Sequence, residues 1–286
     1  MSMRPVSERD RGWLLDRFQF ANDTRYVVAR ALFELFHDNT TSEWINNDNA
    51  WRKRLLLARI FNEYMGALED FAALVHAVKS REPNGVMYEY VNYDMSDVGR
   101  IYATARQWEA SPPSLADVLG VSDGDLQALK DAHRLAGDDP EEVITALNQI
   151  PQNMARLGDA YLAPFDPSVT STNVMQAVNP QGRPLRSMQA AHNKIKHGSG
   201  LVEDMSRILT LTEDESQVKG SEFTDQLLVL IQSPVPGESK EPLTASMPIR
   251  NTWARDMVDT IESVKNMAEA LLGTSATLIK EGIWRY

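Results

Sequence analysis

Apolar positions along this chain repeat mostly at helical spacing. Between Asn49 and Lys79 they fall at Leu57, Phe61, Tyr64, Leu68, Phe71, Val75 and Val78. Steps of four and three residues keep those side chains on one side of a helix that turns about 100° per residue. The pattern predicts one long helix opened at Asp48–Asn49, with a stripe that serves a core rather than a ligand. Two shorter helices are predicted at 7–20 and 24–38, the second opened by the capping cluster Asn22-Asp23-Thr24. Another covers 96–109 and is stopped by Ser111-Pro112-Pro113. A pair follows within 114–135, on either side of Gly120. Asp139-Pro140 opens a helix to about Leu162, which Pro151 should kink. Pro184 suits the first turn of a further helix, closed by Gly198-Ser199-Gly200. Asn251 caps a last long helix with Met257, Ile261, Val264, Ala268 and Leu271 on one face.

The pattern shifts to continuous apolar runs at Arg207–Thr212 and Gln226–Gln232, with the acidic turn Glu213-Asp214-Glu215 between them. That arrangement predicts a small β-hairpin, followed by a Pro-rich loop over 233–248. The expected fold is therefore mainly α, a helical bundle with a small β-hairpin insertion near the C-terminal third. Its organisation reads as a helical region 1–163, a connecting segment 164–183 and a second helical part 184–286 that carries the hairpin. The two helical parts can equally form one continuous domain.

Composition narrows the classes of function. The chain has 286 residues, 43% hydrophobic and 24% charged, as in an ordinary globular protein. No apolar run approaches the roughly 18 residues of a membrane span, and the charged N-terminal stretch is followed by no apolar segment, so no secretory signal is expected. A cytoplasmic location without a membrane partner is the expectation. With Cys 0 there is no disulfide, no thiolate ligand and no cysteine nucleophile. Phosphate-loop, dinucleotide, GxSxG and HExxH patterns are all missing. Neither a cofactor nor a metal site is expected.

Charge changes the picture more. Asp plus Glu is 40 against 29 Lys plus Arg, a net −11. Such a chain repels nucleic acid unless its cations are gathered locally. They are gathered here: residues 167–202 hold no acid, yet include Arg183, Arg186, His192, Lys194, Lys196 and His197. A loop followed by one solvated helix would account for this. So would a surface kept positive for a phosphate.

A second pattern points to DNA. In SLADVLGVSDGDLQAL, Ala116, Gly120 and Leu126 keep the spacing of a helix-turn-helix. The helix that would enter the groove begins with Ser122, Asp123 and Asp125. Carboxylates there repel the phosphate backbone, so the unit reads as structural and sequence-specific DNA binding is disfavoured.

The segment with the richest chemistry is RPLRSMQAAHNKIKHG, residues 183–198. On a helix, Leu185, Met188 and Ile195 make an apolar stripe with His192 at its edge. Arg186, Gln189, Asn193, Lys196 and His197 share the other face. Asn193 and His197 are four apart and should touch, as should His192 and Lys196. The two histidines are five apart, which does not suit one metal ion held by one helix. His197 also lies in the last turn, where the helix dipole favours imidazolium. In the simplest account His192 packs at a core edge, Asn193 and His197 cap the helix end, and the lysines are solvated.

The run HNKIKHG resembles the signature of the HEPN superfamily, small helical proteins often acting as RNases in toxin–antitoxin and phage-defence systems. That signature is an arginine, a polar residue, three further residues and a histidine. Asn193 and His197 match it, while His192 stands where arginine is usual. A longer spacing would pair Arg186 with His192. The resemblance implies a homodimer with two motifs facing each other, and metal-independent RNA cleavage by attack of the ribose 2′-OH on the adjacent phosphate. It makes His197 the acid/base, with Asn193 and His192 beside it as the catalytic set. Without arginine at 192 the bidentate phosphate clamp is lost, and Arg186, Lys194 or Lys196 would have to supply the charge. If none does, the protein binds RNA or a nucleotide without cutting it. The alternative is a non-catalytic helical scaffold or adaptor, with the aromatic tail Ile283-Trp284-Arg285-Tyr286 as a docking element.

Overall fold

The computed structural model describes residues 8–37, 49–80, 90, 95–137, 139–162, 188–196, 201–202, 226–233, 243–250 and 253–280. The described part is mainly α. In chain order the helices are α1 (Glu8–His37), α2 (Asn49–Ser80), α3 (Met95–Ala105), α4 (Leu115–Leu119), α5 (Asp123–Ala136), α6 (Pro140–Asn148), α7 (Ile150–Leu162), α8 (Met188–Lys196) and α9 (Trp253–Lys280). A 3₁₀ turn, Arg106–Glu109, extends α3.

By contact the chain divides into two compact units. One comprises Met1–Tyr26, Gly66–Ala160 and Ile261–Tyr286; the other comprises Val27–Met65 and Tyr161–Thr260.

The first unit is built on the apolar stripes of α2 and α9. Leu68, Phe71, Val75 and Val78 are buried, as are Ile261, Val264, Ala268 and Leu271. The Tyr102 hydroxyl of α3 donates to the Leu68 carbonyl at 2.6 Å, which satisfies a phenol with no exposed surface. Gly158 lets α7 approach α3: a Cβ there would meet the Tyr102 carbonyl oxygen at 2.8 Å. Around this core the cations are mostly tied down. Arg25 pairs with Asp70 at 2.7 Å, Arg106 with Asp159 at 2.5 Å and Lys130 with Glu141 at 3.0 Å. Lys265 sits between Glu269 at 2.6 Å and Asp23 at 3.4 Å, and these partners raise its pKa, the Glu269 hydrogen bond most.

Asp23 explains one departure from the sequence expectation. The cap cluster Asn22-Asp23-Thr24 does not divide two helices; α1 runs unbroken from Glu8 to His37. Asp23 serves a long-range ion pair with Lys265 instead of a helix start. A second departure lies at Pro151, where the expected kinked helix is two helices, α6 and α7, parted at Gln149. Pro151 occupies the first turn of α7, where its missing N–H leaves no bond unmade.

The second unit contains α8, the first half of α2 and a small antiparallel sheet. Leu57, Ile60, Phe61 and Met65 of α2 have no exposed surface. Lys53 lies over the Phe36 ring of α1, 5.9 Å from its centroid. The expected hairpin of 207–212 with 226–232 is not seen. Residues 207–212 lie outside the described residues, and Gln226–Ser233 pairs instead with Leu243–Arg250. The latter replaces the second half of the expected Pro-rich loop. Its Pro248, opposite Leu228, is tolerated because the sheet order β1 (Leu201–Val202), β2 (Gln226–Ser233), β3 (Leu243–Arg250) puts that strand at an edge.

Candidate functional site

The α8 segment, MQAAHNKIK, carries His192, Asn193, Lys194 and Lys196 of the sequence motif. It contains no acid, and its residues divide between two environments. His192 points inward and is 2% exposed. Its Nε2 lies 3.2 Å from the Asn62 side-chain oxygen on α2. The Phe61 ring meets the imidazole edge-on, with centroids 6.4 Å apart. A buried imidazole needs a polar partner to offset its desolvation, and Asn62 provides one. Asn193 and Lys196, one and four residues further on, are exposed.

The sequence places three histidine-motif residues together; of these the structure describes His192 and Asn193, in different surroundings. His192 is sealed against α2, whereas Asn193 is open to solvent. His197 and Arg186 lie outside the described residues, as does the Ile283–Tyr286 tail. Lys194 lies in α8.

Asn62, the partner of His192, has no distinctive sequence context, because it lies off the apolar stripe of α2. The same helix carries a second basic stretch. Residues 49–62 contain no acid but include Arg52, Lys53, Arg54 and Arg59. Arg59 is exposed and Arg52 half-buried. An acid-free interval like that of 167–202 was the available signal.

The helix-turn-helix-like segment folds as two helices joined by Gly120, whose φ of 62° is left-handed. Both helices open with a capping box. The Ser114 hydroxyl accepts from Asp117 N–H at 3.1 Å, and the Ser122 hydroxyl from Asp125 N–H at 3.2 Å. In return, the Ser122 N–H donates to the Asp125 carboxylate at 2.9 Å. A cavity of about 350 Å³ beside it is lined by Ser114, Asp123, Gln127, Lys130 and Asn148 among others. Its cation, Lys130, is already paired with Glu141.

Among the described residues no group of three or more His, Asp or Glu could hold a metal ion. No described helix is long and apolar enough to cross a membrane. Comparison with protein-family models, curated proteins and solved structures finds no match in any of the three.

Proposed function

We propose that this protein binds RNA through α8 and the residue that follows it, and cleaves it without a metal ion in the manner of HEPN RNases. The observation that carries this is the division of α8: His192 anchors the helix to α2, which leaves Asn193 and Lys196 displayed on an acid-free face. A helix fixed on one side and polar on the other can hold a phosphate in constant geometry. His197 is the acid/base that takes the proton from the 2′-OH and returns one to the leaving 5′-oxygen. Asn193 orients that ring or the phosphate. Lys196, with Lys194 and Arg186, supplies the charge that arginine at 192 would bring in the HEPN signature. His192, buried and hydrogen-bonded, holds the helix rather than touching substrate. Two copies facing each other complete the arrangement in a cytoplasmic homodimer, as in toxin or phage-defence systems.

The test is incubation of purified protein with total RNA, with and without a chelator. Cleavage should persist with chelator and be lost in His197→Ala. Intact RNA after wild-type treatment, or equal cutting by His197→Ala, would refute the catalytic claim.

A non-catalytic adaptor is the second reading. It is favoured by an apolar stripe on α1, where Val27 is 62% and Leu35 is 46% exposed. Val27, Ala31 and Leu35 follow one another at four-residue steps, the spacing of a helix face that docks a partner helix.

A further inference from the structure

The RNA reading assigns α8 a role and leaves the basic half of α2 unused. Yet the two helices meet through Asn62 and His192. At about 100° per residue, Arg52, Leu55, Arg59 and Asn62 fall on one stripe of α2, with steps of three, four and three residues. That stripe ends at the contact with α8. Arg59 stands about one turn from Asn62 along α2, and Lys196 about one turn from His192 along α8.

Several cations among the described residues are held in ion pairs. In the first unit Arg25, Arg106, Lys130 and Lys265 are all in ion pairs. In the second, Arg30 pairs with Glu34 and Arg255 with Asp259. Arg52, Arg59 and Lys196 have no acidic partner among the described residues. Glu63, one turn beyond Arg59, is half-buried and has an interaction of its own. In a chain of net −11, two arginines on one stripe without an acidic partner among the described residues are a surface suited to a polyanion.

We infer that Arg52 and Arg59 form a phosphate track that leads single-stranded RNA across α2 to the α8 face. The inference rests on the RNA reading above. The two arginines are about 10 Å apart along the helix axis, a distance over which a flexible strand presents more than one phosphate. Leu55, 38% exposed between them, offers an apolar surface to an unstacked base. The exposed Asn193 amide supplies the donor and acceptor that a 2′-OH can use.

The experiment is fluorescence anisotropy of the full-length protein with a fluorescein-labelled 20-nucleotide RNA of mixed sequence across a salt series. Each lost phosphate contact should lower the slope of log K against log salt by about 0.7, so Arg52→Gln/Arg59→Gln should lower it by about 1.4. Low-salt affinity should fall by about tenfold or more. Arg52→Lys/Arg59→Lys should keep the slope, and so should Arg30→Gln and Arg255→Gln, whose arginines are in local ion pairs. Circular dichroism verifies that each variant keeps its helix content. If wild type binds, and Asn193→Ala or His197→Ala impairs binding or cleavage while the Arg52/Arg59 double variant does not, the track is refuted and the RNA reading stands. Absence of RNA binding by wild type refutes both. Tighter binding to duplex DNA, or to phosphatidylserine vesicles, overturns the assignment to single-stranded RNA.

Discussion

Replacing His192 by Ala separates an anchoring histidine from a reacting one. The ring is 2% exposed, packs on Phe61 and shares a 3.2 Å hydrogen bond with Asn62. Deleting a buried side chain of this size costs about 2–3 kcal/mol through lost contacts and the space left behind. Asn62→Ala removes the partner of a buried ring nitrogen and costs about 1 kcal/mol, a low value because Asn62 is only half-buried and water can approach. Both variants delete the same hydrogen bond, so the double variant should be less destabilised than the sum, by about 1 kcal/mol. Urea unfolding followed by far-ultraviolet circular dichroism measures all four corners of the cycle. His192→Gln keeps a hydrogen-bonding group and should recover part of the loss. Under conditions where His192→Ala is still folded, RNA cleavage should fall only modestly. A general acid or base would instead lose about a hundredfold or more. A stable His192→Ala with abolished cleavage, or a cycle without coupling, would refute the anchoring role.

Two further predictions concern the core. Gly158→Ala gains roughly 1 kcal/mol of helix propensity but brings a methyl group to 2.8 Å from the Tyr102 carbonyl oxygen. That contact is with backbone and cannot swing aside, so a net loss of about 1–2 kcal/mol is expected in thermal unfolding; a more stable variant would refute the close approach. Burial pushes the Tyr64 phenol up from 10.0 to about 12. The folded state therefore keeps a proton that the unfolded state has released. Its contribution to stability is complete below pH 10 and declines as pH rises toward 12. Tyr64→Phe should flatten that alkaline decline in urea midpoints measured from pH 9 to 11, and an unchanged decline would count against the burial.

Much of the helical framework could be read from periodicity and punctuation. The α2 and α9 stripes are buried where spacing placed them, and Gly120 and Pro140 stand at the boundaries they marked. These signals are local, set by side-chain direction and backbone freedom. The departures came from long-range partners. Asp23 has the chemistry of a cap, but Lys265, far along the chain, decides its use. Pro248 reads as a loop residue until strand order makes its position an edge. Asn62 is likewise unremarkable in sequence and acquires meaning only when His192 is brought against it. His192 was legible as the edge of an apolar stripe; how completely it is enclosed was not.

The two capping boxes bear on what α4 and α5 can receive. The start of a helix is ordinarily a natural seat for an anion, since its N–H groups point outward with a positive field. At Ser122 that seat is taken: the Asp125 carboxylate accepts from both the backbone N–H and the hydroxyl, at 2.9 and 2.8 Å. Asp117 does the same at Ser114, at 3.3 and 2.7 Å. An incoming phosphate would have to evict a tethered carboxylate and then face the negative charge it had displaced. The turn between these helices thus carries its own counter-ions, and a phosphate is disfavoured at either helix start.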